Sequence, residues 1–436
     1  MAAGQWKTED VSNTKDTLEY YTDLAKLAEK GKVSAIFFAD WYGGFEIYGG
    51  SMDAMLQAGH QVAHLDPLPM VSAMAAVTKS VSFAVTMSTS YENQYVIARL
   101  YSTLDHLTKG RCAWNIVTSW SKCAANALGQ EGVIPHDERY DMADEFMDVT
   151  YKLWESSWAP DSAVWNKSTS VAYDASKPGA AFAVKHAEAL FLNTFTVAQA
   201  KRVIADARAA AAARGCDPKS IKFFPCIVPF IGRTEEEAKE KYEYAKKHAD
   251  PVAGLAQFSG YTGIDMSQYP LDELIDLSKA NQAMAIQSVF RALEASESAS
   301  GLWTSRRLGI KMALGGLHPN PEWAIEGDCD GFNIASVTNP GSWQDTVDLL
   351  IPELQKRGMY WDDYEVPGGT FRENLYGAGR KGLRDDHYRS AFKWGKETLE
   401  PEVKEEEKVV GERRSESYLE YTSLLKVGVK RTSRGV

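Results

Sequence analysis

The stretch RCAWNIVTSWSKCAANALGQEGVIPHDERY, residues Arg111–Tyr140, contains an apolar run, a long polar loop and the start of a helix. The run Arg111–Val117 is typical of a strand, and Pro135-His136-Asp137 is typical of a helix start. A strand, its loop and the following helix form a βα unit. In α/β sheets and barrels, ligands bind in the loops at the carboxyl ends of strands. We therefore expect this unit to carry part of a ligand site.

Segments on both sides repeat this alternation of strand and helix. The predicted strands are Val33–Ala39, Val81–Met87, Arg111–Val117, Ala189–Leu192, Ile221–Ile231 and Gly331–Ser336. The predicted helices are Thr14–Lys30, Asp66–Thr78, Gln94–Leu107, His136–Trp154, Thr196–Arg214, Thr234–Lys247, Gln282–Ala295 and Trp343–Arg357. This βαβα order predicts a parallel sheet or barrel.

The composition narrows the function class. A formal net charge of −11 at pH 7 argues against a nucleic-acid partner. No apolar run is long enough to span a bilayer, so we expect no membrane partner. The five cysteines form no C-x-x-C motif, which argues against a disulfide framework or a thiolate zinc site. We therefore expect a protein of a reducing compartment, the cytoplasm.

Polar residues follow three of the predicted strands, at the ends that would converge on one face of a barrel. They could form a polar ring around a ligand, or they could simply cap helices and stabilise loops. The residues concerned are Asp40, the turn that contains Thr86 and Ser88, and the group Asn115, Thr118 and Ser119.

Histidines suggest two further sites. His136 and Tyr140 are four residues apart at a helix start, where they could hold an anion or an anionic ring; the alternative is an ordinary surface turn. His60, His64 and Asp66 have a spacing compatible with a metal site, but no further histidines cluster at later strand ends. We expect no metal.

Three long segments resemble a known enzyme family. They are STLDHLTKGRCAWNIVTSW (Ser102–Trp120), HDERYDMADEF (His136–Phe146) and YKLWESSW (Tyr151–Trp158). The chain is similar to the bacterial-luciferase-like flavin monooxygenases typified by nitrilotriacetate monooxygenase component A and dibenzothiophene-sulfone monooxygenase. The similarity extends up to Gly377.

The resemblance implies a TIM (β/α)₈ barrel that uses reduced FMN and O₂ to insert one oxygen atom into a small organic substrate. It implies an NAD(P)H:flavin reductase as the partner that supplies reduced FMN, and a homodimer or homotetramer. By position, it implies that FMN contacts Asp40, Thr86, Ser88, His136 and Tyr140, with Asn115, Thr118 and Ser119 lining the flavin site. A phosphate-binding serine would be Ser176, and His136 could also shuttle protons as a catalytic residue.

The chain also departs from the family pattern. Neither the first barrel strand nor the region of the fifth strand is recognisable in the sequence, and the segment Leu314–Asn333 is short. A barrel without two strands has open edges and a thinner core. The alternative function is therefore a catalytically impaired flavin-binding or interaction protein of the same descent. A metal-dependent barrel hydrolase is a third and weaker hypothesis.

The chain is expected to divide into two parts. Residues 1–377 should form the barrel domain, and residues 378–436 a charged C-terminal extension.

Aromatic residues near strand ends would suit a carbon-rich substrate. The candidates for the substrate pocket are Phe45, Tyr48, Trp120 and Phe258, although such residues more often belong to simple core packing.

Overall fold

The computed structural model describes residues 3–8, 14–61, 64–155, 157, 163–169, 171–173, 189–192, 197–213, 217–275, 303–316, 329–387 and 389–390. The predicted helix Gln282–Ala295 and the candidate Ser176 lie outside these residues, as does most of the C-terminal extension.

The eight strands of the described residues are β1 (Ala35–Phe38), β2 (Ser82–Ser88), β3 (Cys112–Val117), β4 (Ala163–Asn166), β5 (Val171–Tyr173), β6 (Ala189–Leu192), β7 (Lys222–Ile227) and β8 (Asn333–Ile334). Six of them form two parallel sheets, with the orders β1-β2-β3 and β6-β7-β8. All six coincide with predicted strands. The antiparallel hairpin β4-β5 was not predicted.

The helices before residue 160 are α1 (Leu18–Lys30), α2 (Asp53–Gln57), α3 (Pro67–Ala76), α4 (Gln94–Thr108), α5 (Lys122–Ala127) and α6 (His136–Glu155). Those that follow are α7 (Val197–Ala213), α8 (Glu235–His248), α9 (Pro251–Thr262), α10 (Ser305–Ala313), α11 (Gly341–Asp345), α12 (Ile351–Lys356) and α13 (Phe371–Tyr376). A π-helical turn, Thr346–Leu350, connects α11 to α12, so the predicted helix Trp343–Arg357 consists of three consecutive segments.

The sheet β1-β2-β3 carries the largest apolar core. Every residue of β2 is buried, as expected for the central strand of a sheet covered by helices. Met74 of α3, Ile97 of α4 and Met147 of α6 belong to the same buried cluster as Phe83 of β2. Local signals position the helices: the Asp66 carboxylate accepts from Leu68 N at the start of α3, where Pro67 occupies the first turn.

A segment that follows α12 crosses the amino ends of both parallel sheets; we call residues 360–384 the basal strap. The Tyr364 hydroxyl donates to Val33 O, just before β1, at 2.9 Å. Phe371 N donates to Gly110 O, just before β3, at 2.9 Å. Arg384 Nη1 donates to Ser220 O, just before β7, at 2.8 Å. The basal strap therefore ties the two sheets together at the ends opposite the predicted ligand site.

Helices α9 and α10 touch through two glycines. A Cβ atom added at Gly254 would overlap the carbonyl oxygen of Gly309, and one added at Gly309 would overlap the carbonyl oxygen of Pro251. The two backbones can approach this closely only because neither residue has a side chain. This contact holds α9 in place, and α9 in turn supplies a residue of the candidate site.

Substituting Gly254→Ala should therefore lower the free energy of unfolding by about 3 kcal/mol, the upper part of the range for overpacking, since backbone atoms must move. Urea denaturation followed by circular dichroism measures the change. Gly132→Ala is the matched control, because no heavy atom of the described residues lies within 4 Å of the Cβ position there. Equal urea midpoints for the two variants would contradict the proposed role of the glycine contact.

Candidate functional site

A chain of hydrogen bonds joins the carboxyl ends of β1, β2 and β3. Asn115 Nδ2 donates to the Thr86 hydroxyl at 2.8 Å, and that hydroxyl donates to Phe38 O at 2.7 Å. Thr86 and Asn115 are register partners in the parallel pair, which explains their proximity. The structure thus brings together polar residues that the sequence placed only on separate strand ends.

These residues line a cavity of 2610 Å³ between the two parallel sheets. This volume exceeds that of an ordinary small-molecule site, because the cavity continues toward the amino ends of the strands, at Lys109, Lys222 and Arg372. Six of the predicted polar residues line it: Asp40, Thr86, Asn115, Thr118, Ser119 and Tyr140. Ser88 does not; it is 1% exposed, and its hydroxyl accepts from Ser90 N.

Asp40 has a partner that the sequence interpretation did not assign to it. His64 Nε2 lies 2.8 Å from Asp40 Oδ1 and 3.2 Å from Trp41 O. The hydrogen bond to Asp40 raises the pKa of His64 above its ordinary value, against the opposing effect of burial. Lys15 also lowers this pKa. The His64 of the rejected metal motif is therefore part of a polar pair at the cavity. Within the described ranges, no three His, Cys, Asp or Glu residues form a group that could hold a metal.

The raised pKa of His64 leads to a pH-dependent prediction. Because the folded pKa exceeds the unfolded one, the pair stabilises the fold fully below pH 6.5, and the stabilisation is lost as pH rises through the folded pKa. We expect an NMR titration of the His64 imidazole to give a pKa above 6.5, and Asp40→Asn to lower it. Asp53→Asn, at an exposed carboxylate of α2, should leave the titration unchanged. Identical His64 titrations in wild type and Asp40→Asn would refute the pairing.

The start of α6 approaches the same strand ends. The rings of His136 and Tyr140 are 5.0 Å apart, as their spacing on one helix face predicts. Tyr140 lines the cavity, whereas His136 is not among the lining residues; its Nδ1 is 2.8 Å from Asp137 Oδ1. Arg139, which the sequence interpretation missed, is buried, and its guanidinium donates to Ser119 O. Ser119 adopts a φ of 51°, a conformation that non-glycine residues rarely take up.

The four aromatic candidates for a substrate pocket separate into two groups. Phe45 and Trp120 line the cavity and stack with ring centroids 5.7 Å apart. Phe258 is fully buried in a separate core with Leu255 and Leu308, and Tyr48 packs against that core. Neither Phe258 nor Tyr48 is among the cavity-lining residues.

Two aromatic residues join Phe45 and Trp120 at the cavity without having been predicted. Trp41 follows β1, and Tyr261 is near the end of α9. Gln257, one turn earlier in α9, donates to the Tyr261 hydroxyl at 2.9 Å. A sequence signal for Tyr261 exists in its i, i+4 spacing from a polar residue, but nothing local indicates that α9 reaches β1 and β3.

Together these features define an α/β enzyme with a ligand cavity at the carboxyl ends of parallel strands. Residues 3–299 match the family described as luciferase-like monooxygenase. The chain therefore belongs to the luciferase-like monooxygenases, which are flavin-dependent enzymes, and the resemblance inferred from the sequence is confirmed. Within the part of the chain that the structure describes, no helix has the length and apolarity to cross a membrane.

Known relatives are similar to this chain over nearly its whole length. The long-chain alkane monooxygenase of Geobacillus thermodenitrificans is 36% identical, in an alignment that covers 90% of this chain and 95% of that protein. The crystal structure of DmoA from Hyphomicrobium sulfonivorans is 34% identical with a TM-score of 0.80, covering 92% and 96%. The structure of riboflavin lyase RcaE with modified FMN and riboflavin is 27% identical with a TM-score of 0.78, covering 90% and 96%.

Proposed function

We propose that the chain is the oxygenase of a two-component system, which uses reduced FMN and O₂ to insert one oxygen atom into a small organic substrate. The observation that carries the proposal is the cavity, where the polar ends of β1, β2 and β3 lie beside an aromatic group. Balance requires that the second oxygen atom leaves as water, with two electrons and two protons from the reduced flavin. A separate NAD(P)H:flavin reductase would supply that flavin.

The residues at the site fit FMN in their chemistry. A flavin ring presents carbonyl oxygens and ring nitrogens, which amide and hydroxyl groups such as those of Asn115, Thr118 and Ser119 can bind. Tyr140, at the start of the long helix α6, offers a hydroxyl near the positive end of the helix dipole, which suits an anionic group. We therefore propose that FMN contacts these residues, and that Asp40 and Thr86 lie beside them in the flavin site.

Bound reduced FMN would supply the activation of O₂, and the protein would bind, orient and shield it. His136 remains the proposed proton carrier. Its Nδ1 is engaged by Asp137, which leaves Nε2 for proton exchange with solvent or the site. Asn115 would orient the ring, because its amide is itself fixed by Thr86. The aromatic residues would exclude water from the reacting atoms.

We also propose an arrangement for the barrel. The sheets β1-β2-β3 and β6-β7-β8 supply six parallel strands on opposite sides of one cavity. In an eight-stranded barrel, one further strand would fit between β8 and β1, and another between β3 and β6. These are the places that we propose for the first and fifth strands of the family's barrel. We propose residues 1–377 as the barrel domain, residues 378–436 as an extension, a homodimer or homotetramer as the assembly, and the cytoplasm as the location.

Anaerobic titration with reduced FMN, followed by turnover with a flavin reductase, NADH and isotopically labelled O₂, tests the proposal. We expect binding of reduced FMN and, with an accepted substrate, one labelled oxygen atom in the product. Binding of FMN without oxygen transfer to any of a broad set of organic compounds would favour the alternative, a catalytically impaired flavin-binding protein. Absence of FMN binding would overturn the proposed function.

A further inference from the structure

Four aromatic rings form one continuous group at the cavity, which we call the aromatic wall: Trp41, Phe45, Trp120 and Tyr261. They come from three distant parts of the chain, after β1, after β3 and near the end of α9. The Phe45 and Trp120 rings are nearly parallel, with an interplanar angle of 7°. Tyr261 meets both of them edge-on, with centroid distances of 5.4 and 5.9 Å. Trp41 is 5.4 Å from Phe45.

Contacts with neighbouring residues fix the positions of rings in the aromatic wall. Phe45 is 5% exposed, and its ring lies so close to Gly260 that a side chain there would overlap it. The Tyr261 hydroxyl accepts a hydrogen bond from Gln257, whose amide oxygen lies 3.3 Å from His60 Nε2. Trp120 and Tyr261 are only half-buried, and both line the cavity. A preformed surface of this kind can bind a ligand without first reorganising.

The charges around the cavity restrict what this surface can bind. Among the described residues, no lysine or arginine lies over any of the four rings, although such contacts occur elsewhere, as between Arg307 and Trp303. Of the cations that line the cavity, Lys109 and Arg372 are near the amino ends of the strands, whereas Lys15 acts on His64 and lowers its pKa. A carboxylate near the wall is Asp40, which follows β1 and is paired with His64. The four rings themselves therefore offer an anionic ligand no counter-charge.

On the basis of the proposed function, we infer that the substrate class is an uncharged molecule with a planar apolar ring system. Its ring stacks on the open faces of Trp120 and Tyr261, because aromatic pairs gain from offset-stacked and edge-on geometries beyond simple burial. The polar strand ends at Thr86 and Asn115 hold the cofactor beside it. Saturated hydrocarbons of equal size fit the apolar character of the wall but lose the ring–ring contribution, and polyanions find no counter-charge on the rings.

The test compares three probes that differ in one property each: naphthalene, its saturated analogue decalin, and naphthalene disulfonate. Binding to the flavin-free chain is measured by equilibrium dialysis, with quenching of tryptophan fluorescence as a second readout. We expect naphthalene to bind about fivefold more tightly than decalin, in line with a stacking gain near 1 kcal/mol. The disulfonate should bind more weakly than both. Equal or tighter binding of decalin or of the disulfonate would overturn the inference.

Variants place the binding on the aromatic wall. Trp120→Leu and Tyr261→Leu should each weaken naphthalene binding about tenfold. Trp165→Leu is the matched control, because this tryptophan is 66% exposed on the hairpin β4-β5. Equal weakening by the control would count against the wall. FMN titration of the same preparations separates the two hypotheses: FMN binding without naphthalene binding rejects the substrate class alone, and loss of FMN binding rejects the proposed function.

Discussion

Substituting Arg111→Met is expected to lower the free energy of unfolding by about 3–4 kcal/mol, the largest effect on stability that we predict. The Arg111 side chain is 5% exposed, and its guanidinium ties together the loop before β2, the end of α3 and the end of α4. Nη1 donates to Val81 O at 2.8 Å, Nη2 to Ala75 O at 3.1 Å and Nε to Thr108 O at 2.9 Å. Methionine fills a similar volume but donates no hydrogen bond to any of these carbonyl oxygens.

Urea denaturation measures the change for Arg111→Met, with Arg99→Met as the matched control. Arg99 is exposed on α4, so its replacement should shift the free energy by no more than about 0.5 kcal/mol. Arg111→Lys should also be destabilised, since an ammonium cannot reproduce the forked geometry of the guanidinium. If Arg111→Met unfolded at the wild-type urea midpoint, the hydrogen bonds of Arg111 would contribute nothing to the fold.

The second large effect concerns the cofactor. Substituting Asn115→Leu should weaken the binding of reduced FMN about 10- to 100-fold, the range for losing a hydrogen bond to a polar group that then stays unpaired. Leucine has nearly the shape of asparagine but cannot donate to Thr86 or bind a flavin carbonyl or nitrogen. An anaerobic fluorescence titration measures the affinity, and the same loss should appear in kcat/KM for oxygenation.

Asn126→Leu provides the comparison for this experiment, because Asn126 is exposed on α5. Urea midpoints for both variants show whether the loss of affinity is separate from a loss of stability. A variant Asn115→Leu that folds normally and binds reduced FMN as tightly as the wild type would remove Asn115 from the flavin site.

The parallel strands could be predicted from the local apolar composition of the sequence alone. The six parallel strands coincide with short apolar runs, and α6 begins at His136 as its acidic first turn indicates. Helix α9 was missed, because nine of its twelve residues are buried and it lacks the polar face that makes a helix recognisable. Glycine usually argues against a helix, but Gly254 is needed for the contact of α9 with α10.

The residues of the candidate site could be predicted within single segments, but the contacts between segments could not. Thr86 and Asn115 follow from strand ends in a parallel sheet, and the structure joins them directly. From the sequence, His64 suggested only a metal site. Its pairing with Asp40 could not be predicted, because it depends on how the chain folds between the two residues. Phe258 is on the helix that supplies Tyr261, but its side chain packs into the separate core with Leu255 and Leu308.

The basal strap has a consequence for how the chain is made. Its hydrogen bonds reach Val33, Gly110 and Ser220, which precede strands of both sheets. Domains generally fold as their sequence emerges from the ribosome, N-terminal parts first. Sheet β1-β2-β3 can therefore form early in synthesis, while its connection to β6-β7-β8 through the basal strap waits until residue 384 has been translated. A nascent chain that pauses before this point exposes the cavity from below, and that interval is when we expect chaperones to bind it.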